Sequence, residues 1–301
     1  PLSAVIADAF DWHLLFWCAA GLGFGLLVLF ALLVPHVPAT STDRLDPLGA
    51  VLLAGGLLTL LLPITKGSTW GWTSTAVWSL FGASVLIFTV FAAWQLRTAA
   101  PMVDLRTTLK RPVLTTNVAS VAVGFALFGM SLIGPQILEL PTETGFGLGQ
   151  SMLQTGLWMA PGGLAMMISA PIAARMAAKR GPRFTLVAGA LIIACAYLAG
   201  REMLDTPIQV MTFNIVISVG VGFAFSSLPA LINAAVPMSE TAAANGINAL
   251  ARSLGTSVSS AVIGAVLTSM TITFAGQQLP SLAGFRTALL VQCAQEFMLD
   301  R

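Results

Sequence analysis

The sequence predicts an all-α polytopic membrane protein on three observations: long uncharged apolar runs, a scarcity of charge overall, and basic residues confined to alternate connections. Eight runs contain no Asp, Glu, Lys or Arg: Leu14–Val34, Leu48–Thr65, Val77–Leu96, Val113–Leu138, Ser151–Ala174, Phe184–Gly200, Thr206–Ser239 and Ser253–Phe285. A hydrocarbon core about 30 Å thick is crossed by about 20 helical residues rising about 1.5 Å each, and most of the runs reach that length. Hydrophobic residues make up 56% of the chain and charged residues 9%, with a mean hydropathy of +0.88. Soluble domains carry about 25% charged residues. A soluble helical fold would need amphipathic outer helices with charges every few residues, and these runs have none.

Taken in order, the first run follows Asp8 and Asp11, where a signal peptide would carry basic residues, so it reads as a true span. Arg44 follows it. The second and third runs flank Trp70, Trp72 and Trp78, which fit an interfacial aromatic belt, as do Trp12 and Trp17 at the first run. Arg97, Arg106, Lys110 and Arg111 follow the third run, and Arg175, Lys179, Arg180 and Arg183 follow the fifth. The other connections hold Lys66, Arg201 and Arg286 beside Asp8, Asp11, Glu143 and Asp205. The positive-inside rule therefore places the Arg-rich loops in the cytoplasm and the start of the chain outside. After the last run, residues 288–291 begin an apolar stretch that gives way to Gln292, Gln295, Glu296, Asp300 and Arg301 and is too short to span. This tail and the opening Pro1–Ala9 both read as interrupted helices, so a portion of a longer chain is expected.

Gly134-Pro135, Pro161-Gly162-Gly163 and Pro229 lie inside the runs and are expected helix breaks. Proline removes a backbone donor and clashes with the preceding turn. Broken helices can line a wet pathway, although glycine and proline are also common in membrane helices. Polar residues in hydrocarbon are costly and must face the protein interior or water. The candidate pathway residues are Asn117, Gln136, Glu139, Asn214, Asn233, Asn248 and Arg252. Gln136 and Glu139 share a helical face, where the carboxylate either carries a proton or is solvated at the interface. Arg252 either snorkels toward the cytoplasm or binds substrate. Cys18, Cys195 and Cys293 show no metal or redox spacing, and His13 and His36 stand alone. No catalytic constellation is present, and the basic residues are explained by topology, so neither an enzyme nor a nucleic-acid binder is expected.

Four segments carry a resemblance. Pro171 to Arg183, PIAARMAAKRGPR, resembles the cytoplasmic loop motif of the major facilitator superfamily, with Arg175, Lys179, Arg180, Gly181 and Arg183 as its anchors. Asp11 to Trp17 (DWHLLFW), Lys66 to Trp72 (KGSTWGW) and Pro101 to Arg106 (PMVDLR) are similar, in order and spacing, to segments of its fourteen-span drug:proton antiporter branch. Ala174 stands where that family often has Gly, Ala178 where it often has Asp, and Cys18-Ala19-Ala20 where its sixth helix has Asn-Pro.

The resemblance implies a two-bundle transporter working by alternating access, with 1–47 closing the N-terminal bundle, 48–110 forming two linker helices and a cytoplasmic loop, and 111–301 a C-terminal bundle lacking its final helix. It implies proton-coupled efflux of amphipathic small molecules across the plasma membrane. The proton gradient is then the energy source and no cofactor is needed. The expected partners are a small-molecule substrate, protons, membrane lipid and the missing N-terminal helices of the same transporter. Export of an endogenous metabolite, or a truncated non-transporting membrane protein, are the alternatives.

The charge asymmetry fixes an outcome for topology. In a background lacking Cys18, Cys195 and Cys293, cysteines at Ala178 and Ser74 will label with an impermeant reagent from the cytoplasmic and the outer face respectively. Labelling of both from one side would overturn the orientation.

Overall fold

The computed structural model describes residues 13–34, 46–98, 101–274 and 276–297. Asp8, Asp11, Trp12, His36, Arg44, Asp300 and Arg301, which figure in the sequence reading, lie outside the described residues. The described chain is a helical array with eight helices long and apolar enough to cross a membrane. They are α1 (His13–Leu33), α2 (Pro47–Trp70), α3 (Thr75–Arg97), α5 (Arg111–Glu139), α6 (Met152–Arg180), α7 (Pro182–Gly200), α8 (Pro207–Ala235) and α9 (Thr241–Ser269). A one-turn helix, α4 (Leu105–Thr108), precedes α5, while a hairpin of β1 (Thr271–Phe274) and β2 (Gln277–Pro280) leads into α10 (Leu282–Phe297).

Local chemistry sets most helix starts. Ser74, Ser151 and Thr206 cap α3, α6 and α8 by accepting from the backbone N–H three residues on, and Gln154 completes a capping box with Ser151. Pro47, Pro112, Pro182 and Pro207 occupy first-turn positions where a missing N–H is harmless. Where α2 begins and α3 ends, the Asp46 carboxylate accepts from Gly49 N (2.8 Å), Trp94 Nε1 (3.0 Å) and Gln95 Nε2 (2.8 Å). Buried Gln95 in turn accepts from Val103 N at 3.3 Å, which ties the following loop to the pair. Burial pushes the Asp46 carboxyl up, but bonds from Gly49, Trp94, Gln95 and Met102 outweigh it and hold the group below its ordinary value. Its contribution to stability is therefore complete at neutral pH and is lost only as pH falls through that depressed value.

Side-chain register gives the helix directions. Asn117 meets Asn248 and Phe125 meets Ser259, so α5 and α9 run parallel. Gly162 lies at Asn214 and Ser169 at Gly222, so α6 and α8 also run parallel, while Gly189 at Gly220 and Gly200 at Phe213 make α7 and α8 antiparallel. This alternation is what five successive crossings require. The largest apolar core joins α5, α7, α8, α9 and α10 through residues such as Ile133, Ile193, Phe213, Ile263 and Phe285. By contrast, α1 has no buried residue.

Two sequence expectations are corrected. The eighth run, Ser253–Phe285, is not one span: its helix starts earlier, at Thr241, and stops at Ser269, because Thr271–Thr273 and the positive-φ Gly276 (φ 81°) form a hairpin. Beyond the hairpin, the short α10 packs against α5, α7 and α9, with Phe285, Ala288, Leu289, Gln292 and Cys293 buried. The expected breaks at Pro135, Pro161, Gly162, Gly163 and Pro229 are not interruptions either, since α5, α6 and α8 run through them. A proline deletes one ladder bond and leaves the bonds on either side to carry the helix.

The tightest helix contact is between α5 and α9, where a Cβ on Gly255 would overlap the Val121 carbonyl and one on Gly124 the Arg252 carbonyl. Gly255→Val will lower the melting temperature sharply, by an overpacking cost of about 1–3 kcal/mol or more. Gly264→Ala, with open space around its Cβ, will melt as the parent does.

Candidate transport pathway

Buried polar side chains collect along α5. Asn248 on α9 donates to Asn117 Oδ1 (3.0 Å) and Ser120 Oγ (2.6 Å) on α5, and all three residues are buried. Further along, Ser259 Oγ donates to Phe125 O at 2.8 Å and accepts from Gln292 Nε2 of α10 at 3.1 Å. Tyr197 of α7 donates to the neighbouring Ala126 carbonyl. Gly129 makes room for the Gln292 amide. With no water in hydrocarbon, such bonds are made inside the protein or not at all, so this seam locks four helices together.

Asn214 marks a second junction. Its Nδ2 donates to Met159 O at 3.0 Å beside the Pro161-Gly162-Gly163 segment, and a Cβ on Gly162 would displace it. The glycine thus admits an asparagine from α8 against the α6 backbone where proline has removed a ladder bond. Asn233 sits differently: it is exposed near the C-terminal end of α8 and accepts from Asn245 Nδ2 at 2.6 Å.

Arg252 is half-buried, eleven residues into α9, and so about 16 Å from the helix start. Its guanidinium carbon lies 4.9 Å from the centroid of the Phe225 ring on α8. Cation–π contact of this kind holds the charge at depth. Among the described residues no carboxylate forms an ion pair with it.

Gln136 and Glu139 line a cavity at the outer end of α5, with Glu139 itself exposed. At the opposite face, Arg175, Lys179, Arg180 and Arg183 are all exposed around Gly181. Gly181 has φ 91°, which side chains other than glycine rarely adopt. Its N–H caps α6 by donating to Ala177 O at 2.9 Å, and its carbonyl accepts from Thr185 Oγ1 at 3.3 Å. Lys179 and Arg180 fall in the last turn of α6, where cations offset the helix dipole, and Arg180 also stacks 5.3 Å over Phe184.

The structure thus brings Asn117 and Asn248 together and leaves Asn214, Asn233, Arg252 and the Gln136–Glu139 pair at separate places. Ser120, Ser259, Gln292, Phe225 and Asn245 were missed by sequence reasoning. The signal for Ser259 was its place with Asn248 and Gly255, seven and four residues apart along one face of α9, a small-polar stripe suited to close packing.

Residues 1–260 match the Major Facilitator Superfamily. The chain belongs to that superfamily. Membership makes it a transporter-family protein and not an enzyme, and with its apolar helices an integral multi-pass membrane protein. The multidrug efflux pump LfrA of Mycolicibacterium smegmatis is 27% identical over 274 residues, covering 89% of this chain and 52% of LfrA. The multidrug resistance protein B homolog of Mycobacterium tuberculosis is 28% identical over 196 residues, 64% of this chain and 35% of that protein. YhcA of Bacillus subtilis, an uncharacterized MFS-type transporter, is 25% identical over 268 residues, 85% of this chain and 48% of YhcA. The chain spans about half the length, or less, of these curated relatives.

Within this superfamily member, Asn248→Leu will strand the Asn117 acceptor in a dry interface. Thermal unfolding in detergent will register a loss of about 1–2 kcal/mol, the range measured for interhelical polar contacts in membranes. Asn117→Leu combined with Asn248→Leu will recover part of it, because no buried partner is then left unpaired.

Proposed function

We propose that this protein is the C-terminal part of a proton-driven exporter of amphipathic small molecules in the plasma membrane, working by alternating access. The observation that carries the reading is similarity along most of the chain to relatives named for multidrug efflux. The geometry supplies a division of labour that suits it. The seam on α5 and the Asn214 contact turn α5 to α10 into one unit able to rock as a body against an opposing bundle contributed by the missing N-terminal helices. Arg252 and Phe225 present a cation and an aromatic face at mid-depth, the kind of surface that holds an amphipathic solute. The exposed basic turn at Gly181 acts at the cytoplasmic rim, where it biases the closed state through helix-end electrostatics.

In an efflux-deficient bacterium, the full-length protein will lower ethidium accumulation, and a protonophore will abolish the difference. Arg180→Glu will cut the initial export rate severalfold at matched surface expression. Export that persists after the proton gradient is collapsed would remove the coupling, and an unchanged Arg180→Glu rate would remove the gating role.

A further inference from the structure

We propose that the outer end of α5 and the β1–β2 hairpin form a binding site for an organic ammonium ion that carries N–H donors. The cavity there has a volume of about 320 Å³ and is lined by Gln136, Glu139, Leu140, Pro141, Leu279 and Pro280. Glu139 contributes a carboxylate that forms no ion pair with any described lysine or arginine. One turn earlier on the same face, Gln136 Oε1 is shielded from solvent and has no hydrogen-bond donor among the described residues. Leu140, Pro141, Leu279 and Pro280 supply the remainder of the lining.

A solvated interfacial glutamate would explain Glu139 alone, but it leaves the Gln136 acceptor buried and unsatisfied, a cost that native structures avoid. Water could serve that oxygen, but a cavity this size with four apolar walls favours a ligand with a hydrocarbon body and a charged, donating head. The complement of one carboxylate and one amide oxygen is a primary or secondary ammonium, which neutralises the first and donates to both. A divalent metal is a poor fit, since among the described residues no three His, Cys, Asp or Glu side chains gather.

The hairpin holds its wall in place. Leu279 pairs with Ile272 and Pro280 with Thr271, and Ser281 N donates to Met270 O at 2.8 Å, closing the hairpin base against the end of α9. Because α5 ends on the face opposite the basic loops, the site lies outside. That it is the release side of an exporter rests on the function proposed above; the binding chemistry does not.

The test is calorimetric titration of purified full-length protein at neutral pH with phenethylamine, its N,N,N-trimethyl derivative and 2-phenylethanol. Phenethylamine will bind about tenfold or more tightly than the alcohol, as a charge-assisted contact predicts. Glu139→Gln will erase that preference, and Gln136→Leu will bring phenethylamine down to the affinity of the trimethyl compound. Leu279→Trp, which fills the cavity without touching either polar group, will abolish binding of all three. Equal affinity for amine and alcohol, or amine binding unchanged in Glu139→Gln or in Leu279→Trp, overturns the site. Amine binding as described in a protein that shows no proton-dependent export leaves the site standing and overturns the exporter instead.

Discussion

Two helix backbones pass within van der Waals contact because both lack a side chain at the crossing, and the rest of the bundle is arranged around that approach. Gly124 on α5 meets the Arg252 carbonyl of α9, and Gly255 on α9 meets the Val121 carbonyl of α5. Lipid tails are as apolar as leucine, so burial from water does little to join helices in a membrane, and close packing with internal hydrogen bonds must do so. The approach supplies the first and permits the second. Asn248 reaches Asn117 and Ser120 only because the axes are this near, and Ser259 reaches the Phe125 carbonyl for the same reason. α5 thereby becomes the most enclosed of the spans, with α8, α9 and α10 distributed about it.

The count of the spans was legible in the sequence because it depends on a one-dimensional quantity, the length of an uncharged run. The error at the eighth run shows the limit. Thr271, Ile272, Thr273 and Phe274 carry no charge and extend an apolar count, but three of the four are β-branched, and Gly276 follows where a tight turn needs positive φ. Apolarity says where water is absent and is silent on whether the backbone is helix or strand. The individual polar candidates were legible for the same reason, being exceptions within apolar runs. Their pairing was not: Asn117 and Asn248 are 131 residues apart, and Ser120 and Ser259 are too ordinary to stand out without the partner that uses them.

Proline gave the opposite error. Expected as breaks, Pro135, Pro161 and Pro229 sit in continuous helices, and what distinguishes Pro161 is visible only in three dimensions. There the next residue, Gly162, clears the space through which Asn214 donates to the Met159 carbonyl. The asparagine and the glycine belong to one device, and neither explains the other from its own stretch of sequence. Arg252 teaches the same point about charge. Sequence left it either to snorkel or to bind substrate, and its aromatic partner on a neighbouring helix is visible only in the fold.

Stability and transport chemistry then separate by whether a polar group already has a partner. Asn117, Ser120, Asn248, Ser259 and Asn214 have their bonds made by other helices of the same cluster, and a ligand would have to break those bonds to use them. Arg252 engages only an aromatic face, Glu139 has no cation, and Gln136 Oε1 has no donor among the described residues. Of these, the shielded Gln136 Oε1 is costly left unpaired, while exposed Glu139 is solvated. Asn248, Arg252, Gly255 and Ser259 fall at i, i+4, i+7 and i+11 on one face of α9: Asn248 and Ser259 bond to α5, while the longer Arg252 side chain reaches across to Phe225 of α8. One face of α9 therefore serves two neighbours, because its short polar and glycine positions allow the close approach to α5 while the one long side chain among them spans to the aromatic ring on α8.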